Sequence, residues 1–164
     1  MNMTLVAASG KPPARAGAER SQLARAKVRV EMLSWLEAHS ADPAITAAQL
    51  AEVFGISVRQ LHIVFSEDDV HGTFFRSLQY LRMKRASVLL KDPALKDLPV
   101  KQVAHRCGYL DFSAFSRTFK LHFGITAADY RKRLRDAGGG GVIFPQKRRR
   151  ARLREIFKVL DSEG

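Results

Sequence analysis

Residues able to do chemistry are scattered through this chain. His105 and Cys107 have the spacing of half a metal site, but no second His or Cys pair completes it. Cys107 is the single cysteine of 164 residues, so neither a disulfide framework nor a multi-cysteine zinc site can form. No Ser-His-Asp or Cys-His set stands in a strand–turn–helix context. The run Gly138 to Gly141 lacks the Lys-Ser/Thr of a phosphate-cradling loop and reads as a linker. The expectation is a protein that is not an enzyme and has no metal and no cofactor.

Positive charge is the abundant chemistry. The chain has 28 Lys+Arg against 16 Asp+Glu, a formal net charge of +12. Residues 1–30 hold six basic residues and one acid, residues 31–130 eleven of each, and residues 131–164 eleven basic residues and four acids. The excess therefore lies on the two ends of a neutral body. Lys147, Arg148, Arg149 and Arg150, followed by Arg152 and Arg154, form the densest block. Such arms suit a polyanion, because Lys and Arg release the counterions condensed on phosphates. A high pI can equally serve solubility, and composition does not decide between the two.

The elements that must position these groups follow from spacing and punctuation. A composition of 46% hydrophobic and 9% aromatic residues suits one globular domain with short appendages. No apolar run approaches the roughly 18 residues needed to span a bilayer, and no basic residue precedes the apolar start MNMTLVAASG as a secretory signal would require. A cytoplasmic protein with no membrane partner is expected. Residues 1–20, with Gly10, Pro12, Pro13 and Gly17, read as flexible. Apolar positions then recur at helical spacing, with no sustained alternation of period two. Helices are predicted over about 24–39, 47–54, 58–66, 73–90, 100–107 and 112–123, and Thr126 with Asp129 opens a seventh. Thr46/Gln49 and Ser57/Gln60 have capping-box spacing, and Asp111 stands where an N-cap belongs. The fold class is all-α, a seven-helix body.

The body contains a repeat. Gln49-Leu50-Ala51 ahead of Phe54-Gly55-Ile56 lines up with Gln102-Val103-Ala104 ahead of Cys107-Gly108-Tyr109, an offset of 53. Leu61 and Phe65 match Phe115 and Phe119 at an offset of 54, so the second copy has one extra turn residue. Each copy is a short helix, a Gly-centred turn and a second helix with an apolar residue every fourth position, the layout of a helix-turn-helix. Ala51 and Ala104 allow close helix approach, each Gly can take positive φ, and Ile56 or Tyr109 plugs the corner. Cys107, matching Phe54, reads as a core thiol.

With these residues in place, the chain resembles the DNA-binding domain of the AraC/XylS transcription regulators over about residues 24–134. Cys107-Gly108-Tyr109, Phe115-Ser116-Arg117, Phe119-Lys120, His122-Phe123-Gly124 and Tyr130-Arg131 stand in that family's order. Ser57, Leu61 and Phe65 match in the first copy, and Arg82, Met83 and Ala86 match the linker helix. Ala127 departs from the family, which usually has Pro there. The resemblance implies two helix-turn-helix units joined by a linker helix of about 18 residues, about 27 Å long, that sets the recognition helices roughly 34 Å apart, one turn of B-DNA. One polypeptide, monomeric on double-stranded DNA, then reaches two successive major grooves.

Site residues follow from that placement. Leu61 and Phe65 face inward, Val58 partly so, which leaves Arg59, His62 and Ile63 for base contacts. Arg59 can bridge guanine O6 and N7, His62 can donate to a purine acceptor, and Ile63 can touch a thymine methyl. In the second unit Phe115 and Phe119 are core, and Phe112, Ser113, Ser116 and Arg117 face the bases. Phe112 and Ala114 stand where polar groups would read bases, so this half is expected to rely more on DNA shape. Lys120 and Arg131 are assigned to phosphates. Arg82, Lys84 and Arg85 are either phosphate clamps or a solvated face.

The predicted organisation is a flexible basic segment over 1–23, the double helix-turn-helix over 24–134, a Gly-rich linker over 135–146 and a basic amphipathic tail over 147–164. Too few residues precede the first helix for a ligand pocket of the usual size, so no sensor domain is recognisable; either the protein works without an effector and is controlled by its abundance, or the chain is a shortened form of a longer regulator. The tail can run along DNA through the phosphate contacts of Lys147 to Arg150, bind an acidic surface such as that of RNA polymerase, lie on a membrane, or dock back on the body. Three readings result: a sequence-specific transcription regulator, a non-specific architectural nucleic-acid-binding protein, and an interaction module acting through the basic tail. Deleting residues 138–164 removes seven basic residues and three acids. In salt titrations of DNA binding, the log–log slope is expected to shrink by about 2–4 with the preferred sequence unchanged. An unchanged slope would assign the tail to another partner.

Overall fold

Polar residues at the helix starts set most element boundaries. The computed structural model describes residues 14–67 and 72–136. These form seven α-helices: α1 Ala14–His39, α2 Ala47–Val53, α3 Val58–Ser66, α4 Phe74–Lys91, α5 Val100–Arg106, α6 Phe112–Phe123 and α7 Ala127–Asp136. A single 3-10 turn, Pro93–Leu95, follows α4, and no strand occurs among the described residues. At α2 the Gln49 N–H donates to Thr46 Oγ1 at 3.2 Å while the Thr46 N–H donates to Gln49 Oε1 at 2.9 Å. Ser57 and Gln60 repeat that box at α3, at 3.2 and 2.9 Å. At α6 the Asp111 carboxylate accepts from the N–H groups of Ser113 and Ala114 at 2.8 and 3.1 Å. Each pairing satisfies amides that the first helical turn leaves without intrahelical acceptors.

Two boundaries differ from the expected ones. α1 begins at Ala14, about ten residues before the start near residue 24 that the sequence leads one to expect. Ala, Arg, Gln and Leu past Pro13 are strong helix formers, so propensity carries the helix beyond the part that packs. Leu23 accordingly remains 61% exposed. At the other end α7 runs to Asp136, two residues into the span read as linker. The basic tail and the glycine run lie outside the described residues, as does residues 1–13 of the N-terminal segment.

The duplication reaches the level of individual hydrogen bonds. Ile56 N–H donates to Ala51 O at 3.0 Å, and Tyr109 N–H donates to Ala104 O at 3.1 Å. Gly55 and Gly108 carry φ of +62° and +79°, as the tight turn between the two helices of each unit demands. Ala51 and Ala104 are buried beneath those turns. The extra residue of the second copy is Leu110, which is 78% exposed because the turn has no room for it inside. The second copy also lacks a cap on its first helix, since Pro99 occupies the N-cap position without a side-chain acceptor.

Each unit has its own core, and α4 contributes to both. Phe74, Leu78 and Leu81 of α4 join Met32, Leu36, Leu50, Leu61 and Phe65 in the first. Met83, Ala86 and Leu90 join Val103, Cys107, Phe115, Phe119, Phe123 and Tyr130 in the second. Ala127, where Pro was expected from the resemblance, is buried in this second core. Phe119 lies 4.4 Å from Phe123 and 5.5 Å, edge to face, from Tyr130 between ring centroids. Cys107 is fully buried, and desolvation pushes its thiol up to about 12, so it stays protonated and packs as a small apolar group. Phe119→Ala is expected to cost about 3–5 kcal/mol in urea denaturation, as a deleted core aromatic does. A loss below about 1 kcal/mol would show that the second core collapses around the deletion.

Candidate nucleic-acid interface

The apolar residues of α3 and α6 decide which faces remain available. In α3, Leu61, Val64 and Phe65 are buried, so Arg59, His62 and Ile63 are turned outward, Ile63 with 45% of its surface exposed. Val58, expected to be partly inward, is exposed as well, because at the start of the helix it lies beyond the reach of the core. The outward face of α3 thus presents a guanidinium, an imidazole and two aliphatic side chains within two turns. No ion pair or hydrogen bond with another described residue holds the Arg59 or His62 side chain against the body.

The α6 face is different in character. Ser113, Arg117 and Lys120 are exposed, while Ser116 is half-buried. Phe112 is partly outward but stacks on Phe115, with centroids 6.1 Å apart and planes 20° apart. Ala114 points toward the second core, so it does not stand on the outward face as the sequence reading placed it. Its backbone oxygen also accepts from Thr118 Oγ1 at 2.9 Å. Arg117 approaches Asp111 at only 3.9 Å with both side chains well exposed, a contact too loose to hold it. The two most exposed apolar side chains of this unit, Leu110 and Leu121, escaped the sequence reading. Leu121 follows Arg117 by one turn and shares its face. The available signal was the fourfold spacing from Arg117, which the Phe115–Phe119–Phe123 column overshadowed.

The remaining cations divide by what they touch. Arg82 donates from Nε to Ser40 O at 3.0 Å and from Nη2 to Asp42 O at 2.9 Å. Burial presses its pKa below the usual guanidinium value, partly offset by Tyr109 and Asp42, and a guanidinium remains cationic there. Arg131 is half-buried and donates from Nη1 to Leu98 O at 2.6 Å, tying α7 to the segment before α5. Its pKa is also lowered, first by burial and then by Arg135. The sequence assigns Arg131 to a phosphate and Arg82 to either a phosphate or solvent, whereas the fold gives both internal carbonyls because their stems emerge at the seams between helices. Lys84 bonds Glu37 at 2.8 Å, and Arg85 donates from Nε to Arg106 O at 3.1 Å, with Arg85 otherwise exposed. Lys147, Arg148, Arg149 and Arg150 lie outside the described residues. No group of three His, Cys, Asp or Glu that could hold a metal occurs among the described residues. No helix among them is long and apolar enough to cross a membrane.

Known proteins share this arrangement. Residues 50–133 match the family model of a helix-turn-helix domain. A probable thc operon regulatory protein from Rhodococcus erythropolis is 34% identical over 99 residues, 59% of this chain and 29% of its own length. The transcriptional activator RhaS from an Escherichia coli strain is 35% identical over 101 residues, 62% of this chain and 34% of its own length. The chain therefore spans about a third of the length of these curated relatives. Among solved structures, a DNA-binding transcriptional dual regulator from Escherichia coli superposes with a TM-score of 0.57 at 26% identity, over 64% of this chain and 95% of that one. A transcriptional regulator with an AraC-type DNA-binding domain from Chromobacterium violaceum gives 0.56 at 25% identity, over 72% of this chain and 95% of that one. With two helix-turn-helix units of matching turn geometry, one long helix between them and this likeness in sequence and structure, the chain belongs to the AraC-type family of helix-turn-helix proteins.

Proposed function

We propose that this chain binds double-stranded DNA in a sequence-specific way as the reading module of a transcription regulator. The observation that carries the reading is the paired, outward-facing α3 and α6, each held by the same turn and joined by α4. α3 enters one major groove, where Arg59 bridges a guanine, His62 meets a purine acceptor and Ile63 a thymine methyl. α6 enters the next groove with Ser113, Arg117 and the apolar edge of Leu110, Phe112 and Leu121, so it reads methyl groups and shape more than hydrogen-bonding edges. Ser116, half-buried, supports that face from its margin. Lys120 and the exposed part of Arg85 take phosphates, which position the protein without specifying sequence. The module works as a monomer on DNA and without catalysis, in the compartment that holds the chromosome. Contact with RNA polymerase belongs to the same reading and falls to the basic tail.

The mixed polar and apolar readout favours this over a purely architectural role. An architectural binder would gain its affinity from phosphates alone, and the α3 face has more base-reading groups than phosphate ligands. Competition against random duplex at two salt concentrations separates the readings. A specificity ratio of at least about a thousandfold supports sequence reading, and a steep salt slope without selectivity supports the architectural role.

Footprinting on a selected site is expected to show two protected segments on one face, with centres about 10 base pairs apart. Protection confined to one groove would overturn simultaneous engagement. Arg59→Ala is expected to cost about 1–3 kcal/mol on that site and far less on random DNA. Arg117→Ala should cause a smaller loss of selectivity, because its apolar neighbours carry more of the readout. Equal losses on specific and random DNA for Arg59→Ala would show that Arg59 grips phosphate only.

A further inference from the structure

The two cores meet at a single residue of α4. Leu81 belongs to the first and Met83 to the second, with Arg82 between them. Its guanidinium reaches back to the end of α1, donating to Ser40 O at 3.0 Å and Asp42 O at 2.9 Å. On its other side it lies over the Tyr109 ring, 5.5 Å from the centroid, in the turn of the second unit. One side chain therefore touches both units. The second turn is pressed into the same place. A Cβ on Gly108 would lie 2.9 Å from Ser40 O, 3.0 Å from Ala41 O and 3.0 Å from Arg82 Nε. The equivalent Gly55 has nothing within 4 Å of such a Cβ. The two copies of the repeat thus differ where one of them packs against the other unit. The neighbours of Arg82 act in the same sense. Lys84 ties α4 to Glu37 of α1, and Arg85 ties α4 to the Arg106 carbonyl at the end of α5. Tyr80, packed on the first core, also meets His122 of α6 with centroids 5.6 Å apart.

We propose that the joint of Arg82, Gly108 and Tyr109 fixes the separation and relative rotation of α3 and α6, and thereby determines the half-site spacing that the protein accepts. This inference rests on the reading that both units engage DNA. Helix α4 alone sets a length, but each unit can rock about it as a rigid body unless a contact off the helix axis opposes the rotation. Arg82 and Gly108 supply that contact, because they join the end of α1 to the second turn beside α4. Each added base pair rotates one half-site by about 34–36° and moves it about 3.4 Å, so a rigid joint must discriminate spacing sharply. Arg82 is a positioning residue in this scheme and touches no base.

Two measurements test it, one of them free of DNA. Spin labels on Ser66→Cys and Leu121→Cys, both exposed positions at the ends of α3 and α6, report the distance between the units in the full chain. Buried Cys107 stays unlabelled. The parent is expected to give one narrow distance distribution. Arg82→Met, which keeps an apolar stem without the donors, should broaden it, and Gly108→Ala should shift its mean. In parallel, binding is measured on duplexes whose two half-sites are spaced 9, 10, 11 and 12 base pairs apart. The parent should lose at least about tenfold in affinity on moving two base pairs from its optimum, and Arg82→Met should lose less than about threefold, with affinity for one isolated half-site unchanged. If Arg82→Met melts below the assay temperature, Arg82→Lys, which keeps the charge but cannot span both carbonyls, takes its place. Distance distributions and spacing profiles like those of the parent in a folded variant overturn the proposal. A broadened distance in a protein whose parent binds no duplex supports the joint and overturns the DNA reading instead.

Discussion

The guanidinium of Arg82 against the carbonyls that end α1 is the contact on which the arrangement of this protein depends. Two hydrophobic cores of this size would each tolerate many orientations relative to the other, because burial is not directional. Hydrogen bonds are directional, and two donors of one planar group on Ser40 O and Asp42 O leave little rotational freedom. The site is half-buried, which strengthens the bonds and makes an unpaired guanidinium there costly. Those carbonyls are available because α1 stops at His39, so Ser40 and Asp42 lie in the turn beyond it and have no following helical turn to accept from. A helix end in one unit thus becomes the docking point for a cation on the shared helix.

The two copies of the helix-turn-helix share their turn and diverge in their surfaces. The bond from the residue after each glycine to the buried alanine carbonyl is the same in both, since the corner can be turned compactly in few ways. Outside the corner, the two units present different faces. α3 has a polar and aliphatic outward face, whereas α6 is flanked by Leu110 and Leu121. Apolar side chains at a groove recognise methyl groups and groove shape, and they also remove the desolvation penalty of an unpaired polar group. Of the two outward faces, α3 is therefore the more polar and α6 the more apolar.

The distribution of charge has a related logic. The body over 31–130 carries eleven basic and eleven acidic residues, so it has no net charge with which to attract a polyanion. Cations in and beside this span are moreover occupied internally, Lys84 on Glu37, Arg25 on Glu67, and Arg82 and Arg131 on backbone carbonyls. Arg25 pairs with Glu67 at 2.7 Å, and Arg29 reaches Val64 O at 3.4 Å, so α1 braces the end of α3. The charge left for a partner is concentrated at the chain ends, where attraction is long-ranged and indifferent to sequence.

The number and order of the helices were legible in the sequence because capping residues and glycines act locally. Thr46 with Gln49, Ser57 with Gln60 and Asp111 meet their partners within three residues, whatever the rest of the chain does. The inward faces of α3 and α6 were legible for the same reason, since a fourfold spacing places Leu61 with Phe65 and Phe115 with Phe119 on one side. The 53-residue offset disclosed the duplication and hence the turns. The tasks of Arg82, Arg131 and Ala114 were not legible. An arginine on a helix surface looks the same in sequence whether it meets solvent, a phosphate or a carbonyl. Ser40 and Asp42 lie 42 and 40 residues from Arg82, and only the packing of α1 on α4 brings them within reach. Local sequence therefore determined the helices and their buried faces, and the tertiary structure decided which cations were left for a partner, because that depends on neighbours remote in the chain.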